Sequence, residues 1–253
     1  MIGLLNADMK RAFSSKLFWM SMLVALGILL NGMLKYTNTM KGVSSTYYYI
    51  VNAQALSEFS PFAAIFPALG YSIRFAQEYS SGYFQMIQAR ISWKQYGLVR
   101  LITVGLTGGV NIGLPFAVIC IIGYVQGYHG LPTDGWFDGM QIGEYIVKYG
   151  DIFVLFLKVL LGFLFGIMVA YVSLAFAIWT TNRYITIIAP FVVYELMWFL
   201  LMDYPMFNPI LLFRGDDVGS YPLSICMEIV YAVLAAVMCW FGLRRRAGYE
   251  GDN

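Results

Sequence analysis

The sequence predicts an all-α membrane protein with six transmembrane helices, an N-terminal interfacial helix and both termini cytosolic. Three observations carry that prediction. Of 253 residues, 60% are hydrophobic and only 12% are charged. The mean hydropathy is +0.68, far above what a soluble core requires. Six runs of low charge, at about 17–34, 59–78, 101–125, 154–180, 184–202 and 221–243, approach or reach the roughly 20 residues a helix needs to cross a bilayer. The basic residues between these runs are lopsided. One side holds Lys10, Arg11, Lys16, Arg74, Arg90, Lys94, Arg100, Arg183, Arg244, Arg245 and Arg246; the other holds only Lys35, Lys41, Lys148 and Arg214. Such asymmetry places the richer side in the cytosol. Acids lean the other way, with Glu58, Asp134, Asp138, Glu144, Asp151, Asp203, Asp216 and Asp217 outside.

Residues 1–16 read as an amphipathic helix. Ile2, Leu4, Leu5, Met9 and Phe13 are apolar, against Asp8, Lys10, Arg11 and Lys16, a pattern suited to the membrane interface. The first apolar run is too long for a signal-peptide core and reads as a retained span. An outer loop, Lys35–Glu58, is polar and carries Tyr47, Tyr48 and Tyr49. The second span holds Pro61, Pro67 and Gly70, so a kink is expected near Pro67. A cytosolic arm, 74–100, follows. In the third span, Gly105, Gly108, Gly109 and Gly113, followed by Pro115, permit close helix packing or else form a hinge. Outside, Pro132–Gly135 and Asp138–Gly139 are turn signals. Ile142, Tyr145, Ile146 and Tyr149 then recur at helical spacing. The fourth and fifth spans are joined by Thr180–Arg183 alone and must be antiparallel neighbours. The outer link Asp203–Ser220 contains an apolar patch, Phe207–Phe213, expected to dip back toward the membrane. The tail from Arg244 is expected to fray. Trp19, Tyr36, Tyr124, Tyr128, Trp179, Tyr184 and Trp240 stand near span ends, as an aromatic belt does. The whole chain, 1–253, is then one transmembrane domain.

Absences narrow the function. There is no GxxxxGK[ST] phosphate loop and no G-x-S-x-G elbow. The single histidine, His129, rules out HExxH and reads as a solvated loop residue. Cys120, Cys226 and Cys239 lie in apolar runs without CxxC spacing and read as inert buried thiols. The net charge of +2 is spread among loops and gives no nucleic-acid surface. No catalytic residue, metal ligand or cofactor site is expected.

The arm is the most informative segment. Arg74 and Glu78 are four apart, a helical pairing distance. Gly82 can turn the chain. Phe84, Met86 and Ile87 offer an apolar face, and Arg90, Ser92, Trp93 and Lys94 form a second polar knot before Tyr96, Leu98 and Val99. Residues alone read this either as a solvated positive-inside loop, the plainer reading, or as a short helix between membrane and cytosolic partner.

The stretch FAQEYSSGYFQMIQARISWKQYGLVR resembles the first cytosolic loop of the type-two ABC exporter permeases. Phe75–Ala76 with Glu78 matches the family's aromatic–small–x–Glu turns, and Gly82 its glycine. Ile91–Lys94 stands where that family has a Ser-Arg knot, but no Arg directly follows Ser92. NADMKRAFSSKLFW resembles the family's elbow helix, and Asn182–Arg183 its tight turn between the fourth and fifth spans. The resemblance implies that the chain pairs with a separate ABC ATPase subunit, which holds ATP and Mg, and with a second permease copy or paralogue. It implies docking roles at Glu78, Gly82, Tyr83, Phe84, Met86 and Ile87, with Arg74 as Glu78's partner. The missing phosphate loop agrees with borrowed ATP hydrolysis.

Lys158, Glu195 and Glu228 lie within or at the edge of spans, where ionisable residues are costly and mark function. Each stands on the order of 10 Å from the outer span end at about 1.5 Å per residue. Lys158 is expected to pair with Glu228 or Glu195 and line a polar vestibule. Otherwise Lys158 snorkels outward, with each Glu protonated or bonded to a neighbouring helix. The function expected is that of an export permease in the plasma membrane of a bacterium, moving an amphipathic or hydrophobic substrate such as an antimicrobial peptide or drug-like molecule. The alternatives are a membrane sensor or assembly partner binding a cytosolic protein, and an ion-coupled carrier using Glu195 and Glu228.

Overall fold

The computed structural model describes residues 2–39, 45–126, 141–215, 218 and 220–251. Lys41, His129, Tyr128, Asp216, Asp217 and the turns at Pro132–Gly135 and Asp138–Gly139 lie outside them. Every regular element among the described residues is helical. Five helices are long and apolar enough to cross a membrane: α2 (Lys16–Thr39), α8 (Trp93–Val125), α10 (Asp151–Thr180), α11 (Arg183–Leu200) and α13 (Tyr221–Gly251). Helix α1 (Ile2–Phe13) precedes them at the basic end of the bundle.

The second expected span is built differently. No single helix covers 59–78. A column of short helices descends antiparallel to α2 instead: α3 (Thr46–Leu56), α4 (Phe59–Phe62), α5 (Ile65–Pro67), a π turn (Ala68–Ser72) and α6 (Ile73–Ser80). The column starts inside what the sequence marked as a polar outer loop. Tyr47, Tyr49, Ile50, Ala53 and Gln54 of α3 are all buried. Tyr36 meets Tyr49 at 5.4 Å between ring centroids, while Gly32, one turn back along α2, lies against the Ala53 carbonyl. A Cβ at Gly32 would collide with that carbonyl, so glycine here permits the close approach. Thr37 and Tyr49 hydroxyls share a hydrogen bond of 3.0 Å, and the Tyr47 and Tyr221 hydroxyls one of 2.7 Å. Tyr47 and Tyr49, which read as loop polarity, form a hydrogen-bonded packing face, and half-buried Tyr48 meets the Tyr36 ring edge-on.

Two breaks divide the column. Glu58 adopts φ 56°, a left-handed conformation uncommon for a residue with a Cβ. Pro67, which lacks an N–H, immediately precedes the π turn, where the kink was expected.

Helix α10 is the central post, packing against α8, α11 and α13. Its seam with α8 is made by glycines. A Cβ on Gly108 would strike Ala170 Cβ and the Gly166 carbonyl, and one on Gly109 would strike the Phe163 ring. The glycine cluster therefore serves close packing. Toward the far end, Phe59, Phe116, Phe165 and Phe213 interlock, with Phe165 and Phe213 stacked at 4.2 Å. Phe213 belongs to α12 (Pro209–Arg214), the apolar patch of the outer link, which tucks into the bundle. Asn208 caps α12 at Ile210 N and donates to the Trp198 and Leu201 carbonyls. Asn182 caps α11 at Tyr184 N and Ile185 N, closing the tight α10–α11 turn.

Three further expectations change. Helix α8 begins at Trp93, capped by Ser92, so Trp93 and Lys94 of the polar knot belong to the first turn of a long helix, while Arg90 lies in the turn before it. Helix α13 runs on to Gly251 where a frayed tail was expected from Arg244. Arg246 explains part of this: it donates to the Ile178 and Trp179 carbonyls at the end of α10 and to the Tyr79 hydroxyl. Cys120 and Cys239 are buried, but Cys226 faces outward from the bundle.

Candidate functional site

The arm is short and folded back. Helix α6 ends at Ser80, and Gly82 takes φ 72°, a conformation in which a Cβ costs about 1–2 kcal/mol. Helix α7 (Tyr83–Gln88) then runs beside α6. Phe84 anchors it, fully buried against Phe75 at 5.4 Å and Tyr96 at 5.3 Å. Ile87 is half-buried, and Met86 points away with 68% of its surface exposed. Aromatic packing thus fixes one face of α7 and leaves the other to solvent or a partner.

Glu78 does not pair with Arg74. Arg74 is exposed, and Glu78 Oε2 accepts from Arg100 Nη2 and from the Tyr96 hydroxyl, the latter at 3.0 Å. The physical reason is burial. An exposed i,i+4 pair contributes little, whereas a guanidinium inside a protein without an anion is severely penalised. Arg100 is 1% exposed.

Arg100 is the centre of the site. Its Nη1 donates to Asp8 Oδ1 at 3.4 Å. Its Nε and Nη2 donate to the Tyr96 hydroxyl at 3.3 and 2.9 Å. The guanidinium lies over the Tyr71 and Tyr96 rings, 5.1 and 5.3 Å from their centroids. The Tyr71 hydroxyl donates to Asp8 Oδ1 at 2.5 Å. One cation therefore ties α1 (Asp8), the π turn (Tyr71), α6 (Glu78) and the foot of α8. A second tie joins α1 to α7: Arg11 Nη2 donates to the Tyr83 hydroxyl at 3.0 Å and lies over its ring. This hydrogen bond raises the Arg11 pKa above its ordinary value.

Asp8, Tyr71, Tyr96 and Arg100 were not legible as site residues, yet two signals were present. Asp8 is the sole acid in residues 1–57, and Arg100 sits between Val99 and Leu101 at the head of an apolar run. A charge so flanked needs a partner.

The other charged residues lie farther along the bundle. The two ion pairs among the described residues are both made by Arg100. Lys158 is buried, donates from Nζ to the Arg214 carbonyl at 2.5 Å and lies near the Phe116 and Phe213 rings. It holds the end of α12 to α10. Glu228 is 1% exposed, and neither carboxyl oxygen has a hydrogen-bond partner. Glu195 is half-buried, with Oε1 unpartnered. Lys158 and Glu228 interact electrostatically through the interior. A wholly different opening exists on the flank: an apolar cleft of about 170 Å³ between α10, α11 and α13, lined by Met168, Val172, Pro190, Met197, Leu234 and Met238 among others. Among the described residues no group of three or more His, Cys, Asp or Glu is placed to hold a metal. No family model, curated protein or solved structure matches the chain.

Proposed function

We propose that the chain is the transmembrane permease subunit of an ATP-driven ABC exporter in a bacterial plasma membrane. It would have six spans, the α3–α6 column being the second, and cytosolic termini. ATP and Mg belong to a separate ATPase subunit, and a second permease copy or paralogue completes the assembly. The observation that carries this reading is the Arg100 knot. A push on α7 reaches Glu78 through the Phe84 packing, and from Glu78 it reaches α1 and α8 through one buried cation. A solvated loop has no need of such bracing. The exposed face of α7, with Met86 at its tip, is the surface for the ATPase.

The apolar flank cleft supports an amphipathic or hydrophobic cargo, an antimicrobial peptide or drug-like molecule entering from the bilayer. The orphaned Glu228 favours a second reading, an ion-coupled carrier.

Co-purification tests the choice. The tagged chain should bring down a protein with a phosphate loop and alter its ATP hydrolysis. Met86→Asp should abolish that association with the thermal midpoint unchanged. Retained association in Met86→Asp removes α7 as the docking element. Transport that needs an ion gradient, with no associated ATPase, selects the carrier.

A further inference from the structure

Where α13 passes the last turn of α10, at the basic end of the bundle, lies a cavity of about 210 Å³. Among the described residues it is lined by Ile178, Trp179, Gly242, Arg245 and Arg246. Ile178 and Gly242 are buried. A Cβ on Gly242 would stand 2.7 Å from Ile178 Cγ2 and 2.9 Å from Trp179 Nε1, so glycine permits this close approach of α13 to α10. Trp179 and Arg245 are exposed and Arg246 is half-buried, so the polar groups of the lining can be reached from outside.

Every polar side chain in this lining is a donor, and none is an acceptor. Arg246 is held in place by three hydrogen bonds. Its Nε donates to the Ile178 carbonyl at 3.1 Å, its Nη2 to the Trp179 carbonyl at 3.0 Å and its Nη1 to the Tyr79 hydroxyl at 3.3 Å. These bonds use three of the five N–H groups of a guanidinium. They also cover carbonyls at the end of α10, whose partial negative charge would repel an anion. The Arg245 guanidinium lies 5.6 Å from the Trp179 ring centroid. Trp179 Nε1 donates to the Met238 carbonyl at 3.4 Å, longer than an ordinary N–H···O bond. Two guanidinium groups, a loosely held indole N–H and no carboxylate suit an anion with several oxygens, and phosphate is the one guanidinium geometry fits best.

The surroundings indicate where that phosphate comes from. Met238, Gly242 and Arg245 stand four and three residues apart and so share one face of α13. Met238 is 56% exposed and its neighbour Phe241 57% exposed, so an apolar strip leads from the cavity along the span. A soluble anion has no use for such a strip, whereas an acyl chain does. We propose that this cavity binds the phosphate of an anionic phospholipid of the phosphatidylglycerol type. The phosphate lies on Arg245 and Arg246 with Trp179 Nε1 as a further donor, and an acyl chain runs along Phe241 and Met238. A headgroup that carries its own cation is disfavoured, because two guanidinium groups already face it. Basic pockets between helix ends recognise lipid headgroups in this way. The site stands independently of the exporter reading, since what it predicts is lipid retention by this chain alone.

Native mass spectrometry of the detergent-purified full chain tests it, with phosphatidylglycerol and phosphatidylcholine added in turn. Both carry a phosphate, but only phosphatidylcholine carries a cation beside it. Phosphatidylglycerol should be retained roughly tenfold better. Arg245→Gln should bring it down to the level of phosphatidylcholine. Arg244→Gln removes the same charge from an exposed neighbour outside the lining, and should leave the preference standing. Trp179→Phe keeps a ring and deletes the N–H. It should lower retention of both lipids alike, by roughly two- to fivefold, and it keeps the proposal testable if Arg245→Gln misfolds. Equal retention of the two lipids overturns the proposal. So do equal losses in Arg245→Gln and Arg244→Gln, which would reduce the effect to diffuse charge. Full displacement of the lipid by equimolar glycerophosphoglycerol overturns it too, and would make the ligand a soluble phosphodiester.

Discussion

Replacing Arg100 by methionine gives the sharpest test of the physical picture. Methionine has a similar length and no charge, so packing over Tyr71 and Tyr96 is largely kept. What is lost is the cation between two carboxylates. The side chains of Arg100, Asp8 and Glu78 are 2%, 11% and 12% exposed, so water screens them little. Removing one partner of a buried ion pair costs about 3–5 kcal/mol, because the charge left behind is uncompensated. Glu78→Gln is milder: it keeps an acceptor oxygen, and Arg100 keeps Asp8, so the loss is about 1–3 kcal/mol. The decisive quantity is the coupling. If the knot is one unit, Arg100→Met in a Glu78→Gln, Asp8→Asn background leaves no buried charge, and most of the penalty disappears. The pairwise coupling of Arg100→Met with Glu78→Gln should be about 1–3 kcal/mol. Unfolding by a denaturing detergent in mixed micelles, followed by fluorescence of the six tryptophans, measures all of these variants. Purely additive losses, or an Arg100→Met cost below about 1 kcal/mol, would refute the argument that one buried cation joins α1, α6 and α8.

Three other outcomes follow from the packing. Gly108→Ala should destabilise by about 1–3 kcal/mol, because its Cβ lands on Ala170 and the Gly166 carbonyl; Gly27→Ala, with open space around it, should be neutral or slightly stabilising in the same unfolding assay. Gly82→Ala should cost about 1–2 kcal/mol through its positive φ, and on the proposed function it should lower stimulation of the partner's ATP hydrolysis more than Ser81→Ala does. Lys158→Met removes the donor to the Arg214 carbonyl and leaves Glu228 without its nearby cation. A loss of about 1–3 kcal/mol is expected, with partial recovery in Lys158→Met, Glu228→Gln, read from thermal midpoints of the purified variants.

Much of the helix inventory was legible because it is a local property. Apolar run length sets where a helix can lie in lipid, and five long helices stand over five of the six runs. The Asn182 turn, the packing role of the glycines and the break at Pro67 also follow from side-chain chemistry a few residues wide. The outer loop was misread for the opposite reason. Tyr47, Tyr49 and Gln54 look polar in isolation, and Tyr221, Thr37 and Ser60, each on another helix, give them hydrogen bonds inside the bundle.

The arm shows the same division most clearly. The sequence by itself determined that a polar island with Glu78 and Gly82 lies between apolar runs, because charge and glycine act where they stand. Which cation Glu78 meets was decided by the tertiary structure. Arg74 is four residues away on the same helix, but it keeps its water. Arg100 is carried by α8 to a site where 1% of its surface stays exposed, and Asp8 is brought there by α1. A buried charge claims the available anions ahead of an exposed one, and burial is set by how distant helices pack, which no local window of sequence contains.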